Sequence, residues 1–135
     1  MRLLIIVLLV FHVVPGAFWA GSTFVLARAG GQGAEPLAYP QLGAATVSMI
    51  AGFGLMGLLH AGVFGTFEQL LALGAVCAIA AAGVQSARGL PAIRRLRSAS
   101  GREAEVLRAQ IAQAQQIGAG LLAVAVICMV IARYV

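Results

Sequence analysis

The sequence contains no lysine, and only 10% of its 135 residues carry a charge. Soluble domains are about a quarter charged and roughly half apolar. Here 61% of residues are hydrophobic, and a chain this short cannot bury that much apolar surface in one aqueous core. Lipid is therefore the second solvent. Cysteine is scarce as well: Cys77 and Cys128 each sit inside an apolar run, with no CxxC pairing. That argues against a disulfide framework or a zinc motif and leaves both as small buried hydrophobes. No nucleophile–base pair, phosphate-binding glycine loop or metalloprotease pattern occurs, which disfavours familiar hydrolytic chemistry. With lysine absent, the net charge of +5 rests on arginine alone. The arginines gather in one segment, an arrangement that suits a membrane surface and not nucleic acid.

What the sequence does have is uncharged apolar runs of the roughly 20 residues that a bilayer requires. Four spans are expected, over residues 3–27, 42–66, 69–87 and 111–134, the last with its apolar centre at 117–132. The fold class that follows is all-α: a single-domain integral membrane four-helix bundle over 1–135, in up-down-up-down order. Arg2 followed by Leu3–Val10 has the form of a signal-peptide start. However, the apolar run continues to Ala27, and Phe18 spoils the small-residue site near Ala20, so a retained span is expected. Between spans one and two, Gly30, Gly31, Gly33, Pro36 and Pro40 supply turn chemistry. The turn between spans two and three is placed at Gly65–Phe67, making those helices a hairpin. Ser100 and Glu103 fit a capping box. A helix starting near Gly101 and running to the C-terminus would be about 50 Å long, with its first turns on or above the membrane surface.

Segment 88–110 reads as an arginine-rich loop carrying Arg88, Arg94, Arg95, Arg97, Arg102 and Arg108. The positive-inside rule assigns it to the cytoplasm with Arg28, leaving Arg2 and Arg133 outside. Both termini and the hairpin tip then face outward. These arginines read as topology anchors on lipid phosphates.

Ionisable residues inside spans are costly and are functional candidates by default. His12 and His60 are the two well inside, at similar expected depth in the outer half. Two neutral imidazoles on neighbouring helices can ligate one metal, commonly a haem iron. His12, Gly16, Trp19 and Thr23 share a face of span one. Pro15 should kink that helix, and the neighbouring small residues leave room for another helix or a flat macrocycle. On span two, Met49, Phe53, Met56 and His60 line one face. The blander alternative is that a membrane histidine donates a hydrogen bond to a backbone carbonyl, and that the small residues are packing seams. Glu68 reads as a solvated flank or a proton-transfer group at an outward site. Gly74, Ala78 and Ala82 form a small-residue seam that permits a dimer.

The stretch His12-Val-Val-Pro15-Gly16-Ala-Phe-Trp19-Ala-Gly21 resembles the opening helix of a group of small bacterial membrane proteins. The group includes copper-resistance-D-like proteins, related four-helix families and the J-type protoporphyrinogen oxidases. A glycine-containing second span, a third span closed by a proline–arginine stretch (Arg88–Arg97) and a terminal fourth span extend the likeness as architecture. The resemblance implies a four-helix bundle in the bacterial inner membrane. Its oxidase branch implies haem b held by the first-span histidine, here His12. That branch also uses an intramembrane lysine, which this sequence lacks. Its copper branch implies copper handling, for which Met49, Met56 and His60 offer thioether and imidazole ligands.

The leading expectation is a haem-b-binding membrane protein in redox chemistry or electron transfer. His12 and His60 would be its axial ligands, with Trp19 and Phe53 packed on the macrocycle. The alternative is a copper-binding or copper-transport protein using His12, His60 and Met56. The third is a cofactor-free small subunit or scaffold of a membrane complex. Expected partners are the lipid bilayer and a membrane protein or second copy of the chain.

Overall fold

The computed structural model describes all 135 residues, and it is all-α. Helix α1 covers Arg2–Arg28 and α2 covers Ala34–Leu59. Helix α3, Thr66–Val84, passes through a π-helical turn at Gln85–Gly89 into α4, Leu90–Leu96. Helix α5 covers Gly101–Ala132. The rod Thr66–Leu96 counts as one span, so four helical units are long and apolar enough to cross a membrane.

The element bounds differ from the sequence reading in three places. Helix α2 begins at Ala34, eight residues before the expected span, because Pro36 sits in its first turn, where a missing N–H costs nothing. It ends at Leu59, so the turn is His60–Gly65 rather than Gly65–Phe67. The segment 88–110 is not a loop: Arg88, Arg94 and Arg95 are helical, and Arg102 and Arg108 lie on α5. Only the short link from Arg97 to Ser100 is non-helical. Helix α5 does start at Gly101, but Ser100 makes no side-chain cap. Glu103 turns instead to Arg95, at 3.4 Å. Pro15 is accommodated within an unbroken α1.

Helices α1 and α2 pack through matched small residues. A Cβ at Gly16 would lie 2.8 Å from Ser48 Oγ, one at Gly52 would lie 2.9 Å from the His12 ring, and one at Gly54 would meet Leu8. These glycines set the close approach, as small residues do between membrane helices. The expected dimer seam on α3 is used inside the chain. Gly74 and Ala78 are buried, and a Cβ at Gly74 would lie 3.2 Å from the Ala125 carbonyl of α5.

Burial is uneven along the bundle. Helix α5 is its spine, with buried residues from Ala104 to Ala132. Helix α1 has none before Trp19. At the arginine-rich end, Leu26, Ala34, Ala38, Ala92, Ile93, Leu107 and Ile111 form one apolar cluster. The first turns of α5 are therefore packed against α1, α2 and α4. Gly31 permits this closure: its φ of +78° is left-handed, and a Cβ there would lie 3.0 Å from Ile111. A second cluster, Trp19, Ala45, Ala78, Ala81, Leu122 and Ala125, fills the middle.

Candidate functional site

Between the two clusters lies a polar layer to which all four helical units contribute. Trp19 Nε1 donates to Gln85 Oε1 at 2.7 Å. Gln85 Nε2 donates to Thr23 Oγ1 at 3.0 Å and to Gln115 Oε1 at 3.2 Å. Gln115 Nε2 donates to Gln41 Oε1 at 3.2 Å. Gln41 Nε2 closes the circuit on Ser22 Oγ and Thr23 Oγ1, at 3.0 and 3.2 Å. Thr23 Oγ1 in turn donates to the Trp19 carbonyl at 2.7 Å. Trp19, Thr23, Gln41, Gln85 and Gln115 are each at most 5% exposed, and no buried side-chain polar atom lacks a partner.

The π turn is part of this construction. Pro91 has no N–H to give the Ala87 carbonyl, and its ring would crowd that oxygen in a regular α-helix. The chain widens instead: the Leu90 N–H bonds to the Gln85 carbonyl, five residues back. The extra residue buries Gln85 and Gly89 together, and Gly89 faces Ala114 of α5. π turns of this sort recur where a helix must re-aim a side chain.

His12 lies nearer the other end, between α1 and α2. Its Nδ1 is 2.8 Å from the Ser48 carbonyl. A carbonyl only accepts, so Nδ1 carries the proton and donates it to Ser48. Ser48 Oγ returns a bond to the His12 carbonyl at 2.7 Å. The ring is half-buried, and Nε2 has no hydrogen-bond partner in the chain.

His60 is not inside a span: it is the C-cap of α2, just past Leu59. Its Nδ1 is 3.0 Å from Glu68 Oε1, and its ring stacks on Phe67 with centroids 4.8 Å apart. Glu68 Oε2 accepts the Gly65 N–H at 2.8 Å, capping α3. Glu68 is thus a buried turn organiser, 5% exposed, and not a solvated flank.

The expected ligand set does not assemble. His12 packs on Gly52, and Gly52 precedes His60 by eight residues. That is about 12 Å of helical rise, whereas two nitrogens sharing one metal sit about 4 Å apart. His12 and His60 therefore do not fit a bis-histidine haem within one chain, and His12 does not reach a copper set built on His60 and Met56. No three of the His, Cys, Asp and Glu side chains converge. Trp19 is sealed in the polar layer, at 3% exposure, and is not free to stack on a macrocycle. Phe53 is 56% exposed and points away from the α1–α2 contact, into a groove shared with α3. Met56 is half-buried one turn before His60.

Gln41, Gln85 and Gln115 are not among the site residues expected from the sequence. Their signal in the sequence is uneven: Gln85 falls inside the expected span 69–87, Gln115 stands among Gln110, Gln113 and Gln116, and Gln41 lies one residue before the expected span 42–66. Comparison with family models, curated proteins and solved structures finds no match for this chain.

Proposed function

We propose that this protein is a multi-pass inner-membrane scaffold or small subunit, built as a rigid platform for other membrane components. The helices run up-down-up-down, the arginine-rich end lies in the cytoplasm, and the termini and the His60–Gly65 turn face outward. That orientation puts seven arginines inside and Arg2 and Arg133 outside, in keeping with the positive-inside rule. The observation that carries the reading is the polar layer. Intramembrane polar side chains are functional candidates by default, and here Gln41, Gln85 and Gln115 are satisfied by one another and by α1. Their hydrogen bonds hold four helices in one register.

A second reading rests on His12. A ring oriented through Nδ1–H on a backbone carbonyl, with Nε2 free of any partner in the chain, is the arrangement that metal-ligating histidines adopt. On this reading His12 would be the residue of this chain that holds haem b, and the haem would supply one-electron redox chemistry.

One experiment separates the readings. The protein is extracted from its native membrane in mild detergent, and particle size, visible spectrum before and after dithionite, and metal content are read on one sample. The scaffold reading expects an assembly larger than a detergent-bound 13.8 kDa chain, without stoichiometric haem or copper and unchanged in His12→Ala. A chain-sized species whose haem is lost in His12→Ala overturns it in favour of the second reading. Stoichiometric Cu(I) without haem overturns both.

A further inference from the structure

Helices α2 and α3 leave a groove of about 450 Å³ between them. Thr46 and Phe53 line its α2 wall, and Ile79, Ala82 and Gly83 of α3 with Ser86 of the π turn line the other. Thr46 spends its hydroxyl on the Leu42 carbonyl of its own helix, so that wall presents no free donor.

Beyond the residues that line the groove, towards the arginine-rich side, stands a different chemistry. Tyr39 precedes Thr46 by seven residues, two helical turns, and so shares its face. Arg94 follows Ser86 by eight residues, but the π turn absorbs one of them and brings Arg94 back to the groove side. The side chains confirm the register. Arg94 Nε and Nη2 donate to Tyr39 Oη at 3.3 and 3.1 Å, and the guanidinium lies 6.0 Å from the Tyr39 ring centroid. Arg94 has no carboxylate partner, unlike Arg95 and Arg97, which pair with Glu103 and Glu35. Both Tyr39 and Arg94 are exposed.

We propose that the α2–α3 groove is a binding site for an anionic glycerophospholipid, with its phosphate on Arg94 and one acyl chain along the groove to Phe53. The dimensions agree. Tyr39 to Phe53 is fourteen residues, about 21 Å of rise, which covers a headgroup and the roughly 15 Å depth of one leaflet. Tyr39 holds the guanidinium at the headgroup level, and the remaining N–H donors of its fork are available to two phosphate oxygens. A neutral wall below an unpaired cation matches a lipid that is apolar along its chains and negative at its head.

The test uses delipidated full-length protein in detergent, titrated with phosphatidylglycerol or with phosphatidylcholine of the same acyl chains, with bound lipid counted by native mass spectrometry. The expected result is one retained phosphatidylglycerol, held more tightly than phosphatidylcholine. Arg94→Ala should weaken phosphatidylglycerol binding about fivefold and erase the preference. Gly83→Leu should remove binding of both lipids. That substitution tests the groove without breaking the bundle, because a Cβ at Gly83 meets nothing within 4 Å. Arg102→Ala, an exposed arginine at the same end, should change nothing. Equal retention of the two lipids by the wild type, wild-type behaviour in Arg94→Ala and Gly83→Leu, or an equal loss in Arg102→Ala would each overturn the assignment. So would a dimer that Gly83→Leu converts to monomer without change in lipid count, which would give the groove to a second copy.

Discussion

Replacing Gln85 by leucine tests the polar layer directly. Leucine approximates the volume of glutamine and keeps the helix, so the change removes hydrogen bonds with little change of packing. Three are lost: from Trp19, to Thr23 and to Gln115. Interhelical hydrogen bonds inside membranes average about 0.6 kcal/mol each, so the three sum to roughly 2 kcal/mol. The Trp19 N–H, in a side chain 3% exposed, is then left without an acceptor, which adds roughly 1–3 kcal/mol. Thr23 keeps Gln41 as a partner and adds little. The expected loss is about 3–5 kcal/mol. Unfolding in mixed micelles of rising SDS fraction, followed by fluorescence, measures it, and Trp19 is the only tryptophan in the chain. Gln116→Leu is the matched control: the same chemistry one residue from Gln115, on an exposed position, with an expected change within about 0.5 kcal/mol. If Gln85→Leu unfolds as late as Gln116→Leu, the layer does not hold the bundle and the scaffold reading loses its main support.

Two further outcomes follow from close contacts. Gly52→Ala puts a Cβ 2.9 Å from the His12 ring, which Ser48 pins in place, so α1 and α2 must separate. The expected cost is about 1–3 kcal/mol, against a neutral or slightly stabilising Gly57→Ala, where a Cβ meets nothing; the same SDS titration compares them. Glu68→Ala removes both the cap on Gly65 and the partner of His60. It should cost about 0.5–2 kcal/mol and raise hydrogen exchange at the first amides of α3 while leaving those of α5 unchanged.

Four spans were legible because bilayer thickness imposes a length that hydropathy reveals directly. The start of α5 was legible too, although Ser100, which marked it, makes no cap. The beginning of α2 was not, because Pro36 and Pro40 read as breakers. A proline in the first turn costs the helix nothing, and the one at Pro40 is carried inside it. The π turn was hidden for a related reason: Pro91 signals a disturbance but not whether the chain stops or widens. His60 was misplaced by a few residues, and that sufficed to turn a supposed intramembrane ligand into a turn residue. Residue type identified the costly groups inside the membrane. Which of them meet depended on helix register, and register was set by glycines such as Gly16 and Gly52, whose partners no single sequence discloses.

The position of the polar layer bears on how the bundle moves. It lies with the Leu26–Ile111 cluster towards the arginine-rich end, where all four helical units are tied. Towards the other end, the Arg2–Phe18 part of α1 has no buried residue and rests on α2 through Leu8, His12 and Gly16. Backbone hydrogen bonds in lipid have no water to exchange with, so a membrane helix held on one side only tilts as a rod and does not fray. The expected motion is therefore a rigid swing of the first half of α1, with the Trp19–Gln85 bond as its pivot. Spin labels on Val10 and Ile127, both exposed, should give a broad distance distribution. Labels on Arg28 and Arg102, at the tied end, should give a narrow one. Gln85→Leu should broaden the second pair until it resembles the first, because the pivot is gone. Two equally narrow distributions in the unsubstituted chain would mean that the His12–Ser48 contact is a second lock, and that α1 is held along its whole length.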